Sequence, residues 1–201
     1  VGASRVDAIS RLSTASGRTT VAEVHIRQVK DHSRLRIVPM SEDRQLAYIH
    51  EFCNYYYKDC FNITEESSDE DASVEVTVHS EIDRVIRNMS KLETPPSGKD
   101  DRSEEKRIRI QRYLNSFADV DAFETEILKR IRLPERQCTE ILYTGRRSFE
   151  NWLSATFTEI NAGKRSDCSI PSQICVEIAE ADLPLRLPAQ VSEVVDTIGL
   201  D

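Results

Sequence analysis

The sequence predicts an α/β protein whose 201 residues follow an α+β order, with short strands at both ends and a long helical segment between them. Apolar and polar residues alternate in residues 19–29 and 34–40, and again in 172–180, a period of two that is typical of half-buried strands. Residues 41–165 instead repeat apolar side chains at spacings of three and four, which indicates helices.

The first two strands are predicted to pair as an antiparallel hairpin. In "TTVAEVHIRQV" Val24 and Ile26 face inward, and in "RLRIVPM" Leu35 and Ile37 do the same. The four polar residues "KDHS" lie between the strands, a length that hairpin connections often have. We therefore assign residues 1–40 to a first unit, a loop followed by a hairpin.

Residues 41–165 are predicted to form a helical insertion of several amphipathic helices. The expected first residues, polar side chains that can cap a helix, are Ser41, Ser80, Ser103, Asp121 (with Glu124 completing a capping box) and Ser148. The expected buried stripes are Leu46, Ile49, Cys53, Tyr56 and Cys60; Ile82, Val85, Ile86 and Met89; Ile110, Leu114 and Phe117; Phe123, Ile127, Leu128 and Ile131; and Phe149, Trp152, Leu153 and Ile160.

Two loops are expected to interrupt the insertion. The acidic, serine-rich stretch near 64–74 cannot bury enough apolar surface to order itself. The stretch near 91–103 combines Pro95, Pro96 and Gly98 with many charges and is predicted to be an exposed linker. A short strand is expected in "CTEILYT", and residues 166–201 return to strands, the last of which, "EVVDT", delivers Asp196 at its carboxyl end.

The composition excludes several classes of function. A net charge of −8 argues against nucleic-acid binding, because such proteins need a positive field to displace counterions. No apolar run approaches the length of a membrane span. The five cysteines, Cys53, Cys60, Cys138, Cys168 and Cys175, include no C-x-x-C pair, so we expect reduced, mostly buried thiols in a cytoplasmic protein and no zinc site.

Two short motifs could carry chemistry. In "EVVDTIGLD" an apolar strand ends in Asp196, whose carboxylate can hold Mg²⁺ through water at a sheet edge, and Gly199 lets a backbone N–H approach a terminal phosphate. In "SGRTTVAEVHIRQ" the hydroxyls of Thr19 and Thr20 could complete a magnesium shell. Each motif also has an ordinary structural interpretation, a turn beside a strand.

Taken in this order, the two motifs resemble switch I and switch II of P-loop GTPases. "VVDTIGLD" is similar to the V-D-T-P-G-L of dynamin-like GTPases, with Ile198 in place of proline, and "GRTTVAEVHIR" resembles their switch I and the strand after it. The resemblance implies Thr19 or Thr20 and Asp196 as magnesium ligands, Thr197 and Gly199 as nucleotide contacts, and Mg²⁺ with GTP or ATP as cofactors.

Two motifs of such enzymes do not occur in the chain. There is no G-x-x-x-x-G-K-[ST], the loop that cradles phosphates, and no N/T-K-x-D, so GTP and ATP are not distinguished. We therefore expect the middle part of a larger NTPase, inactive by itself. The alternative is a non-catalytic module in which the helical segment regulates, self-associates or binds another protein. Glu177 and Glu180 could serve as paired acids, but carboxylates on a strand face are usually solvated.

Overall fold

The computed structural model describes residues 21–61, 76–96, 100–182 and 193–196, with 58–61, 76–80 and 196 described as backbone alone. These residues form an α+β structure of five α-helices and one mixed five-stranded sheet. In chain order the elements are β1 (Glu23–Val29), β2 (Arg34–Pro39), α1 (Glu42–Phe61), α2 (Val76–Ser90), α3 (Asp101–Leu114), α4 (Val120–Ile131), a 3₁₀ turn (Leu133–Glu135), β3 (Glu140–Leu142), α5 (Phe149–Asn161), β4 (Pro171–Ala179) and β5 (Glu193–Asp196).

The predicted hairpin of β1 and β2 is wrong, because β4 lies between the two strands. The sheet order is β3-β2-β4-β1-β5, with β1 parallel to β4 and the other neighbours antiparallel. The turn after β1 bonds to the end of β4: the N–H of Ala179 donates to Ser33 Oγ at 2.8 Å, and that of Glu180 donates to the carbonyl of Val29 at 3.1 Å. A four-residue turn is long enough to cross the width of one inserted strand.

The central position of β4 follows from its sequence. Ile174, Val176 and Ile178 are fully buried, and the register sets Ile174 beside Val24 of β1 and Ile37 of β2. A strand with two apolar neighbours buries more surface than an edge strand. The predicted inward residues of β1 and β2 are therefore confirmed, while their partner was not foreseen.

The helices and the apolar face of the sheet share one hydrophobic core. Most of the predicted stripes are buried, but Leu46 is 37% exposed, which contradicts its assignment. Its neighbour Gln45 is buried instead, because its amide donates to the carbonyl of Met40 at 2.7 Å and accepts from the N–H of Ile170 at 3.4 Å. This amide joins the start of α1 to the chain that enters β4.

Several helix boundaries differ from the predicted ones. Ser148 caps α5 as expected, whereas α4 is capped by Asp119, which accepts from the N–H of Ala122 at 2.8 Å, rather than by Asp121. Asp100 caps α3, so the carboxyl end of the predicted linker is helical. Ser80 lies inside α2 and does not begin it.

The described residues test the remaining predictions about the organisation of the chain only in part. The short strand expected in "CTEILYT" is confirmed as β3. The loop near 64–74 lies outside the described residues, and the division at residues 40 and 165 stays a prediction. Among the described helices, none combines the length and apolar character that crossing a membrane requires.

Candidate functional site

The two segments that carry the predicted motifs meet at one end of the sheet. β5 is the edge strand and runs antiparallel to β1, so that Asp196, its last residue, is paired with Val24 near the start of β1. The chain entering β1 is held in place, since the N–H of Val21 donates to Asn161 Oδ1 of α5 at 3.1 Å and the side chains of Val21 and Ala22 are buried.

Most of the predicted ligands fall outside the described residues. This is so for Thr19, Thr20, Thr197 and Gly199, and of Asp196 the backbone alone is described. Thr20 directly precedes Val21, the residue whose N–H donates to Asn161. The proposed donors, two hydroxyls and a carboxylate, are hard oxygen ligands of the kind that Mg²⁺ prefers, so the donor chemistry fits the ion that the motifs imply.

A row of alternating charges crosses the sheet on the face away from the helices. It consists of Glu193 (β5), Arg27 (β1), Glu177 (β4) and Arg34 (β2), which are neighbours in the strand register. Arg27 Nε lies 2.5 Å from Glu193 Oε1, and Arg34 Nε donates to Glu177. We call these four residues the charged row.

A second row of residues runs beside the charged row. His25, Cys175 and Arg36 occupy neighbouring register positions on β1, β4 and β2. His25 Nδ1 lies 2.7 Å from Glu193 Oε1, so this carboxylate joins both rows. Burial raises the pKa of the Cys175 thiol. This thiol is therefore a packed, protonated side chain near neutral pH.

Glu193 is the member of the charged row on β5, and it ties this four-residue strand, which ends in Asp196, to β1. Hydrogen bonds from Arg27 and His25 hold the pKa of the Glu193 carboxyl below its usual value, so this group is ionised at neutral pH. Val194 and Val195, each 45% exposed, supply little burial to hold the strand. The attachment of β5 to β1 therefore depends on the ladder and on Glu193.

Sequence reasoning missed the charged row. The prediction that the Glu177 carboxylate is solvated is wrong: it is only 5% exposed, and Arg34 and Arg36 both approach it. The available signal was the alternation itself, which sets Arg27, Glu177 and Arg34 on the polar faces of their strands. Their mutual register could not be known before the strand order.

The four cysteines whose side chains are described are free, and three of them, Cys53, Cys168 and Cys175, are buried as expected. Cys53 and Cys168 are buried, and burial raises the pKa of each thiol to about 12. Cys138 and Cys168, thirty positions apart in sequence, lie close together beside Asp167. No local spacing could have indicated this proximity.

Comparison with known proteins gave no significant match to a protein-family model, a curated protein or a solved structure.

Proposed function

We propose that this chain supplies the magnesium-binding and γ-phosphate-binding segments of a P-loop nucleoside triphosphatase of the dynamin-like kind. The observation that carries the proposal is the antiparallel pairing of β1 with β5. A single site that binds both Mg²⁺ and the γ-phosphate requires the Thr19–Thr20 loop and the D-x-x-G motif to lie close together. The register of Val24 with Asp196 brings the start of β1 and the end of β5 to one end of the sheet.

In this function each motif has a separate task. Thr19 or Thr20 and Asp196 would hold the magnesium ion, the aspartate through water, and the N–H of Gly199 would donate to the terminal phosphate. The bound ion supplies positive charge against the phosphate oxygens. Thr197 lies between Asp196 and Gly199 in the motif and contacts the nucleotide.

Hydrogen bonds beside both motifs would help to position the proposed ligands. Asn161 holds Val21, the residue after Thr20, and Glu193 holds the strand that ends in Asp196. Ligands for a phosphate centre must be held to within a fraction of an ångström, because small displacements lower the rate steeply. Two fixed strand ends meet that requirement better than free loops.

The first test is the full open reading frame. The proposal requires a G-x-x-x-x-G-K-[ST] sequence after an apolar strand, a motif that the 201 residues themselves do not contain. Hydrolysis of GTP and of ATP is then measured on the protein encoded by that frame, with and without Mg²⁺. We expect magnesium-dependent turnover that Asp196→Asn abolishes.

Asp101→Asn is the matched control, because it makes the same chemical change at an exposed position in the first turn of α3. It should leave turnover unchanged. Turnover that survives Asp196→Asn, or a complete reading frame without a phosphate-binding loop, would reject the proposal. The alternative, a non-catalytic helical module that binds another protein, would then be favoured. The isolated 201 residues should show no hydrolysis in either case.

A further inference from the structure

Cys138, Asp167 and Cys168 bring three potential metal ligands together at the entrance to β4. Their two Sγ atoms and a carboxylate oxygen all lie within 4.8 Å of one another, and they form the one such group among the described residues. Cys168 Sγ lies 3.5 Å from Asp167 Oδ1. We propose that these three side chains bind a thiophilic divalent metal ion, with Zn²⁺ as the natural candidate.

The distances suit tetrahedral zinc after a small adjustment. Bonds of about 2.3 Å to sulfur and 2.1 Å to oxygen set ligand atoms about 3.6–3.8 Å apart. The sulfur–oxygen distance of 3.5 Å already matches this edge. The remaining pairs need to close by at most about 1 Å, which rotation about χ1 can supply.

The backbone that carries the ligands is already rigid. The N–H of Cys138 donates to the carbonyl of Asp167 at 2.9 Å, which joins the two segments directly. The buried guanidinium of Arg136 donates to the carbonyls of Cys168 at 2.9 Å, Arg165 at 2.6 Å and Ile131 at 2.6 Å. The ligands therefore sit on a fixed frame, which lowers the entropic cost of binding.

The Asp167 carboxylate is held in position for a metal ion by a neighbouring arginine. Arg165 holds the Asp167 carboxylate with two hydrogen bonds, 2.6 Å and 3.0 Å long, and so orients it as an outer-shell partner. Each carboxylate oxygen keeps a second lone pair for a metal. Two thiolates, the carboxylate, the guanidinium of Arg165 and a divalent ion sum to zero, and the buried guanidinium of Arg136, which donates to the carbonyl of Cys168, adds one further positive charge. Mg²⁺ does not fit, because two of the three donors are sulfur.

Metal binding at this site replaces two sulfur–hydrogen bonds with sulfur–metal bonds. Each Cys138 and Cys168 thiol loses one proton to solvent and forms one sulfur–metal bond, and Asp167 forms one oxygen–metal bond, with no change in oxidation state. A fourth position stays open to water or an incoming ligand. The site is distinct from the proposed nucleotide centre and does not depend on it.

The test is titration of the reduced, metal-free protein with Co²⁺ and then Zn²⁺. We expect one equivalent of Co²⁺ to produce a thiolate-to-cobalt absorption band, Zn²⁺ to displace it, and two protons to be released for each zinc bound. Cys138→Ser and Cys168→Ser should each abolish the band. Arg165→Gln, which removes the partner of Asp167, should weaken zinc affinity about 10–100-fold.

Cys53→Ala is the matched control, because it removes a buried thiol from α1 and should leave binding intact. Stoichiometric binding that requires both cysteines of the site supports the proposal. Absence of the cobalt band in folded protein, or a band that survives the double cysteine variant, overturns it. A Cys138–Cys168 disulfide in protein isolated without reductant also overturns the proposal, if the protein binds no metal ion after reduction.

Discussion

Glu193 Oε1 accepts hydrogen bonds from Arg27 Nε at 2.5 Å and from His25 Nδ1 at 2.7 Å, so one carboxylate joins the edge strand β5 to two residues of β1. β5 has four residues and exposes both of its valines, so Glu193 supplies side-chain contacts to a strand that is otherwise attached through its backbone ladder with β1. The position of Asp196 therefore depends on a group at the other end of the same short strand.

The first prediction concerns acid stability. Because its folded-state pKa is held below the ordinary value of 4.5, Glu193 contributes stability that is complete above 4.5 and is lost as pH falls through the folded-state pKa. Glu193→Gln should therefore lower protection of the β5 amides against hydrogen exchange at neutral pH and have less effect at about pH 3. An equal loss of protection at both pH values would contradict this prediction.

The second prediction concerns the buried member of the charged row. Glu177→Gln removes the charge that faces Arg34 and Arg36, and it should lower the free energy of unfolding by about 1–3 kcal/mol. Glu140→Gln is the control: this carboxylate is exposed and lies 3.5–3.7 Å from the same two arginines, so its loss should cost about 1 kcal/mol or less. Denaturant unfolding measures both, and equal effects would show that burial does not decide the cost.

The sequence predicted which residues of the strands face inward but not which strands pair. Val24, Ile37 and Ile174 can be assigned to one face by alternation alone, because that pattern is local. The insertion of β4 between β1 and β2 depends on contacts about 140 residues apart, such as the hydrogen bond between Ser33 and Ala179. No local pattern contains that information.

The helix boundaries show a related limit. Asp119 and Asp121 both have side chains that can cap a helix, and the structure uses Asp119, where the backbone is extended. The proposed ligands were found because they lie next to recognisable strands. The Cys138–Cys168 pair, brought together only by folding, could not be found this way.

The third prediction concerns Arg136, whose buried guanidinium donates to three backbone carbonyls. Arg136→Met would leave those carbonyls without their donor, so we expect a loss of about 2–4 kcal/mol in the free energy of unfolding. Arg132→Met is the comparison, since the exposed Arg132 makes one ion pair, at 3.4 Å to Glu135, worth about 1 kcal/mol or less. Thermal or denaturant unfolding distinguishes the two, and a loss below that of Arg132→Met would refute the structural role of Arg136.

The fourth prediction concerns the glycine that ends α5. Gly163 has φ +66°, and a Cβ there would lie 2.8 Å from Val85 Cγ1 and 2.9 Å from the carbonyl oxygen of Val85 in α2. Gly163→Ala therefore adds a clash with a backbone atom to the cost of left-handed backbone, and we expect about 2–4 kcal/mol of destabilisation.

Gly145→Ala separates these two costs. Gly145 has a similar φ of +73°, but a Cβ there would meet nothing within 4 Å. It should cost only about 1–2 kcal/mol, the conformational part alone. The difference between the two variants in chemical unfolding measures how tightly the end of α5 packs on α2. A difference of zero would mean that the end of α5 does not pack closely on α2. That contact matters because Asn161, at the end of α5, holds the start of β1.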